Sequence, residues 1–176
     1  MRNSLTDVVS AALRVLNRQG LEGCSMRQVA SELDVQPSAL YHHVDNKQSL
    51  LALMANEIIA SVHGENVHEF CMRLRSRLLE FRDGAEIVLT LAAFQTEPSQ
   101  LERRLCRLVD PDAANTLMLY TLAHAMTTQV RQHAAQFGAL LPSEAEGSSR
   151  QQSLAQADPE ASFSRGLSVV LRGLEP

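Results

Sequence analysis

The 176-residue chain has no tryptophan, two tyrosines and five phenylalanines, so aromatics make up only 4% of it. With leucine and alanine prominent among the 45% of hydrophobic residues, that scarcity favours helices over sheets. No apolar run reaches bilayer-spanning length, and no basic, apolar, small-residue leader opens the chain, so a cytoplasmic protein with no membrane partner is expected. Cysteines are few and scattered: Cys24, Cys71 and Cys106. Their odd number and wide spacing give no disulfide framework and no metal-ligand set, and buried, reduced thiols are expected. Catalytic signatures are missing as well. There is no Ser/His/Asp ordering, no Gly-rich phosphate loop and no His-x-x-x-His pair. His63, His68, His124 and His133 stand alone on expected helices, where solvated or hydrogen-bonded roles suit them. An enzyme is not expected, nor a cofactor or resident metal.

Positive charge is also short. Sixteen Lys and Arg face twenty Asp and Glu, for a net charge of −4. The first fifty residues are balanced: Arg2, Arg14, Arg18, Arg27 and Lys47 against Asp7, Glu22, Glu32, Asp34 and Asp45. Lys47 is the single lysine. A strongly basic domain, the usual footprint of a nucleic-acid binder, is therefore absent. Any DNA affinity must come from a few positioned contacts, from helix N-termini facing phosphates, and from doubling by dimerisation.

What is there is concentrated between Cys24 and Lys47. Ser25 and Gln28 have capping-box spacing, the hydroxyl taking a first-turn N–H and the amide reaching back. Val29, Ala30 and Leu33 form an apolar stripe at helical spacing. Asp34 and Val35 break it. Pro37 suits the first turn of a new helix, where its missing N–H costs nothing. Leu40 and Val44, four apart, face inward and leave Ser38, Tyr41 and His42 outward. Two short helices joined by a tight turn, the second with polar and aromatic groups on its free face, make a helix-turn-helix.

The run Leu40-Tyr41-His42-His43-Val44-Asp45-Asn46-Lys47 resembles the TetR family of bacterial transcriptional repressors, and most of all its tetracycline-repressor branch. Phe81-Arg82-Asp83-Gly84-Ala85 and the terminal Arg172-Gly173-Leu174-Glu175 support the same branch. The likeness is strong over the first fifty or so residues and patchy beyond. It implies an all-α protein with a three-helix helix-turn-helix head over residues 1–46. A helical ligand-binding and dimerisation domain would follow over 47–176.

The remaining patterns fit that plan. Ser4 and Asp7 cap a first helix whose inner face is Leu5, Val9, Ala12, Leu13 and Leu16, with Gly20 ending it. Asp45 with Gln48 reads as the cap of a long linking helix from about Asn46 to Val62, with Leu50, Leu51, Met54, Ile58 and Val62 inward. Further helices are expected from about Val67 to Glu80, over Ile87 to Phe94, after Thr96-Glu97-Pro98, from Asp110-Pro111 to about Gln136, and after Asp158-Pro159. The Asp110 helix is apolar over more than one stripe, which implies burial on two sides. Residues 138–157 read as an exposed loop. In the family, the long later helix and the last helix pair with their copies in a four-helix dimer interface. The resemblance puts that interface after Asp110 and after Asp158, the alternative being that both stripes are simply monomer core.

The resemblance also names residues. Ser25, Met26 and Arg27 at the start of the second helix, and Gln36, Pro37, Ser38, Ala39, Tyr41, His42 and His43 around the third, would meet double-stranded operator DNA. Arg27 would reach a base edge or a phosphate, and its fork suits guanine N7 and O6. Gln36 reads either as an adenine reader or as a helix cap, Tyr41 either as a phosphate ligand or as a packing residue. Lys47 would clamp a phosphate. Met26 replaces a small hydroxyl residue usual in tetracycline repressors, and His42 an indole, so a different operator is expected.

A small-molecule effector in the second domain would release the DNA. Tetracycline with magnesium is the branch's ligand, but Val88 stands where the branch has its metal-coordinating histidine, and Leu91-Ala92-Ala93 where it has a Thr-Arg-Pro turn. An isopropyl group has no lone pair for a hard cation. A lining of Phe70, Leu74, Leu78, Val88, Phe94, Met118 and Met126 suits a mostly apolar molecule instead, with hydrogen bonds from His63, His124 or Gln95. The same residues read equally as ordinary core. The expected function is a ligand-responsive regulator that binds a palindromic operator as a homodimer. A constitutive DNA-binding regulator and a tetracycline-type resistance repressor are the alternatives.

Overall fold

The computed structural model of the protein describes residues 3–94, 99–136, 138 and 158–174, with the backbone alone at 93 and 94. Nine helices and no strand occur among the described residues, as the expected all-α class requires. They are α1 Leu5–Gly23, α2 Met26–Glu32, α3 Pro37–Leu40, α4 Lys47–Ile59, α5 Val67–Leu79, α6 Gly84–Phe94, α7 Gln100–Leu105, α8 Pro111–Gln136 and α9 Pro159–Gly173. The Thr96-Glu97-Pro98 start and, Gly138 apart, the 138–157 loop lie outside the described residues.

Helix α1 opens on a complete capping box. Asp7 N–H donates to Ser4 Oγ at 3.2 Å, and Ser4 N–H donates back to Asp7 Oδ2 at 2.8 Å. The Ser4 N–H, and after it the Ser4 hydroxyl donating to the same oxygen at 2.7 Å, hold the Asp7 carboxyl below the usual carboxylate range. Val9, Ala12, Leu13 and Leu16 are buried, but Leu5, expected on the same face, is 40% exposed at the helix's open end. Gly20 has φ 74°, and a Cβ there would stand 2.8 Å from Asp83 Oδ2. A side chain is excluded twice, by the backbone conformation and by the close approach of the α5–α6 loop. That loop seals the contact: Leu21 N–H donates to Asp83 Oδ2 at 2.8 Å, and Arg82 N–H to Asn17 Oδ1 at 2.9 Å.

Helix α4 packs against α1, α5 and α6, joining the head to the body. Its cap is Asn46, which accepts from Ser49 N–H at 2.9 Å. The expected Asp45–Gln48 pairing is one residue out of register. Leu50, Met54, Ile58 and Val62 are buried as expected, and Leu51 only half so. The helix ends at Ile59 rather than near Val62. Arg104 Nη1 explains the early stop, donating to the carbonyls of Ile59, Ala60 and Val62 at 2.9, 3.2 and 3.0 Å. A cation on the last carbonyls opposes the negative end of the helix dipole.

Helix α8 runs the expected Pro111–Gln136, with Asp110 Oδ1 accepting from Asp112 and Ala113 N–H, both at 3.0 Å. Leu117, Met118, Leu122 and Ala125 are buried. So is Gln129, whose amide nitrogen donates to Leu78 O at 3.1 Å and Phe81 O at 2.7 Å, while its oxygen accepts from Ala85 N–H at 3.3 Å. One side chain thus satisfies the end of α5 and the start of α6 together. A second apolar stripe, Leu119, Ala123 and Val130, lies exposed on α8, with Val169 exposed on α9.

Candidate nucleic-acid interface

The long α1 and the short α2 and α3 make the head. Ser25 Oγ accepts from Gln28 N–H at 3.3 Å, so the α2 cap forms. The return half of the expected box does not: the Gln28 amide oxygen accepts instead from Gln19 Nε2 at 3.4 Å. The turn into α3 is a Schellman closure. Asp34 N–H donates to Ser31 O at 3.2 Å and Val35 N–H to Ala30 O at 3.0 Å, with Asp34 at φ 55°. Pro37 takes the first position of α3, as expected. Gln36 sits at the N-cap without a side-chain capping bond, so its amide is not spent on the helix. Helix α3 itself stops at Leu40. His43 and Val44 continue as a turn, donating to Leu40 O at 2.9 and 3.0 Å.

Leu40 and Val44 are buried, which turns Ser38, Tyr41 and His42 to solvent, Tyr41 being 53% exposed. Gln36 and Arg27 are exposed too. Ser25, Pro37, Ala39 and His43 are half-buried, and Met26 packs partly into the core. Met26 therefore serves the head's interior at least in part.

The head's cations divide into two groups. Glu32 on α2 takes Arg14 Nε at 2.8 Å and also pairs with Arg18, binding α2 to α1. Those two hydrogen-bonded guanidinium groups hold the Glu32 carboxyl low. Arg27, in the first turn of α2, and Lys47, the first residue of α4, form no ion pair among the described residues. Arg2 lies outside them.

In the body, Phe70, Leu74, Leu78, Val88 and Met118 are all buried in the core, and Met126 packs partly against it. The side chain of Phe94, and Gln95, lie outside the described residues. His63 is exposed, its Nδ1 2.6 Å from Ser61 O, and apart from the buried set. His124 belongs to a cluster that sequence reading missed. Arg75, only 6% exposed, donates from Nε to His124 Nδ1 at 3.3 Å and lies 5.4 Å from the centre of the Phe163 ring. Tyr120 stacks on Phe163 at 5.3 Å, and its hydroxyl donates to Phe163 O at 3.0 Å. Burial, then the charges of Arg75 and Arg131, push the His124 pKa down and favour the neutral ring. Gly166 lets α9 close on this cluster, since a Cβ there would meet the Tyr120 hydroxyl at 2.0 Å. Arg75 is one of three arginines among residues 70–78, with Arg73 and Arg77, so the sequence did not single it out.

Comparison with known proteins agrees with this architecture. The profile described as bacterial regulatory proteins of the tetR family matches residues 8–54. The class A tetracycline repressor of transposon 1721 from Escherichia coli is 32% identical over 194 aligned residues, covering 95% of this chain and 88% of that one. The class E repressor from Escherichia coli is 33% identical over 120 residues, and that match spans only 57% of its length. Among solved structures, Mycobacterium smegmatis BioQ superposes with a TM-score of 0.81 at 31% identity, covering 98% of this chain and 97% of that one. BioQ with its double-stranded DNA operator has a TM-score of 0.66 at 33% identity, over 78% of this chain and 93% of that one. A TetR variant from Acinetobacter baumannii AYE in complex with minocycline has a TM-score of 0.76 at 27% identity, over 97% of this chain and 92% of that one. With a relative above 30% identity matched over most of both chains, a fold shared end to end, and a head that carries the family's helix-turn-helix, the chain belongs to the TetR family of bacterial regulatory proteins.

Proposed function

We propose that the protein is a cytoplasmic, non-enzymatic transcriptional regulator that binds a palindromic operator as a homodimer and is released by a small, mostly apolar molecule. One observation carries the DNA half of this reading. The head cations left without an ion pair among the described residues are Arg27 and Lys47, and these lie on either side of α3 in the chain. Between them Gln36, Ser38, Tyr41 and His42 face solvent. A balanced head thus keeps its free positive charge at the starts of two helices, where backbone N–H groups also favour phosphate. Ser25, Pro37, Ala39, His43 and the visible edge of Met26 complete the surface offered to DNA. The exposed stripe Leu119, Ala123 and Val130 of α8, with Val169 on α9, supports dimerisation through those helices, which would hold two recognition helices about one helical turn apart or a little more. Tyr41→Ala and Arg27→Ala should each cost about 1–3 kcal/mol of affinity for a palindromic duplex selected with the full-length protein, with the dimer intact. Anisotropy titrations in which both variants bind like the parent would remove this reading.

The tetracycline alternative is disfavoured by the body. Val88, where the branch has its metal-coordinating histidine, is 3% exposed among apolar neighbours, and Phe70 is 1% exposed. Neither offers a ligand to a magnesium ion carried by a drug. The buried set Phe70, Leu74, Leu78, Val88 and Met118, with Met126 packed partly against it, suits an apolar effector. Calorimetry with tetracycline, with and without magnesium, should give no tight, metal-dependent heat, and such heat would restore the resistance-repressor reading.

A further inference from the structure

A cleft of about 420 Å³ opens between the end of α1, the first half of α4, and α6. It lies at the junction of head and body, and none of Phe70, Leu74, Leu78, Val88 and Met118 lines it. Its volume is in the range of small-molecule sites. Leu21, Leu51, Ile87 and Leu91 form its apolar walls, Gln48 and Thr90 are among its polar groups, and none of the described residues that line it is charged.

The polar groups are unusually free. The four threonines of α8 turn their hydroxyls onto the carbonyl four residues back: Thr116 at 2.9 Å, Thr121 at 2.7 Å, Thr127 at 2.8 Å and Thr128 at 2.8 Å. Thr90 does not, and neither it nor the Gln48 amide hydrogen-bonds to any described residue. The Ser49 hydroxyl, also on the cleft, is already committed to Asn46 Oδ1 at 3.2 Å. Helix α6 therefore presents an unspent hydroxyl to an apolar cavity, across from an unspent amide on α4.

The geometry points to a second ligand site here, for an uncharged, predominantly apolar molecule carrying one or two hydroxyl or carbonyl groups. A charged ligand would be buried without a partner, at a large desolvation cost. A neutral one would set its hydrocarbon against the leucines and its polar group on Thr90 and Gln48. The position has a consequence for DNA. Gln48 follows Lys47 directly, and Leu21 neighbours the kink where Asp83 holds α1. An occupant wedges the phosphate-facing turn of α4 away from α6. That last step rests on the regulator reading above, whereas the site itself does not.

The neutral dye N-phenyl-1-naphthylamine tests the site without DNA. Titrated into the full-length dimer, it should bind saturably, one molecule per chain. Ala52→Trp, which puts an indole into the cleft, should weaken binding at least tenfold. The protein has no native tryptophan, so the emission of that indole should be blue-shifted as it fills the cleft. Thr90→Val should weaken the dye severalfold with the fold unchanged by circular dichroism. Leu91→Trp serves in the same way if Ala52→Trp does not fold. Absent saturable binding, or dye affinity equal in the parent and in the folded tryptophan and valine variants, overturns the proposal. Saturating dye should also lower operator affinity about fivefold or more in the parent and not in the tryptophan variant. Failure of the parent to bind any selected duplex would count against the regulator reading alone, because the dye titration stands without it.

Discussion

Head and body hold their polar groups in different ways. In the head, the caps of α1, α2 and α4 are all made with a partner three residues away: Ser4 with Asp7, Ser25 with Gln28, Asn46 with Ser49. Its longest reach, from Glu32 to Arg14, spans 18 residues. The body has local caps too, at Asn66 and Ser99, but its decisive contacts cross the chain. Arg75 meets His124 at a separation of 49 residues, Gln129 meets Leu78 at 51, and Arg104 meets Ile59 at 45. A head built from near neighbours keeps its internal contacts when it tilts. A body built from crossing contacts cannot shift one helix without losing bonds in another. The two are joined by α4 and by the few bonds from Asn17, Arg18 and Leu21 to Arg82 and Asp83. Motion of the head as a unit follows from that arrangement.

The comparison is most open to attack at Gln129. Gln129→Leu removes three hydrogen bonds and takes this partner from the buried Leu78 O and Ala85 N–H, while Phe81 O keeps the Gly84 N–H at 3.0 Å. Stability should fall by about 3–5 kcal/mol in urea unfolding, as each orphaned group carries its own desolvation cost. Amide exchange should quicken across α5, α6 and α8 together. A loss below about 1 kcal/mol, or faster exchange confined to α8, would mean the crossing contacts do not tie the body together.

The same contrast decides what could be read from the sequence. The capping spacings at Ser4 and Ser25, Pro37 and the inward Leu40–Val44 pair located the head because each signal and its partner lie within about four residues. Even there errors were of one position or one bond: Asn46 rather than Asp45, and a Gln28 amide turned to Gln19. In the body, Ser99-Gln100-Leu101-Glu102 is a complete capping box that periodicity alone passed over. Gln129 and Arg104 had no local signature at all, because their partners are carbonyls tens of residues away. The helix end at Ile59 was misplaced for that reason, since Arg104 fixes it from α7. The cleft at Thr90 was invisible for the same reason, being made by three helices whose mutual positions no short pattern encodes.

A smaller effect sharpens the head's side of the comparison. Asn46→Ala removes the acceptor for Ser49 N–H, and a lost N-cap costs about 1 kcal/mol. Faster exchange should stay within the first turn of α4. Operator affinity should fall as well, because Lys47 is the first residue of that turn. Exchange that spreads into α5 or α6 would show the head's local contacts to be coupled to the body after all.

The smallest effect is a pH dependence, and it belongs to the body's crossing contacts. His124 accepts from Arg75 through Nδ1, faces Tyr120 and Phe163, and lies near Thr128 Oγ1 at 3.5 Å. Its folded pKa is lowered from the ordinary value of 6.5, by burial first and then by the charges of Arg75 and Arg131. The unfolded chain therefore takes up a proton on this residue before the folded one does. Above the unfolded pKa both states are neutral and the group leaves stability unchanged. As pH falls below it, the unfolded state gains protons first and stability drops, until the folded state protonates as well. Carboxylates held low, such as Glu32 and Glu69, lose stability in the same direction but through more acidic pH. A His124→Gln variant keeps an acceptor for Arg75 and removes the titration. Between pH 7 and 5 the parent should lose stability more steeply than this variant, and below pH 4 the two should run parallel. Equal slopes between pH 7 and 5 in urea unfolding would mean that the Arg75 contact does not hold His124 neutral.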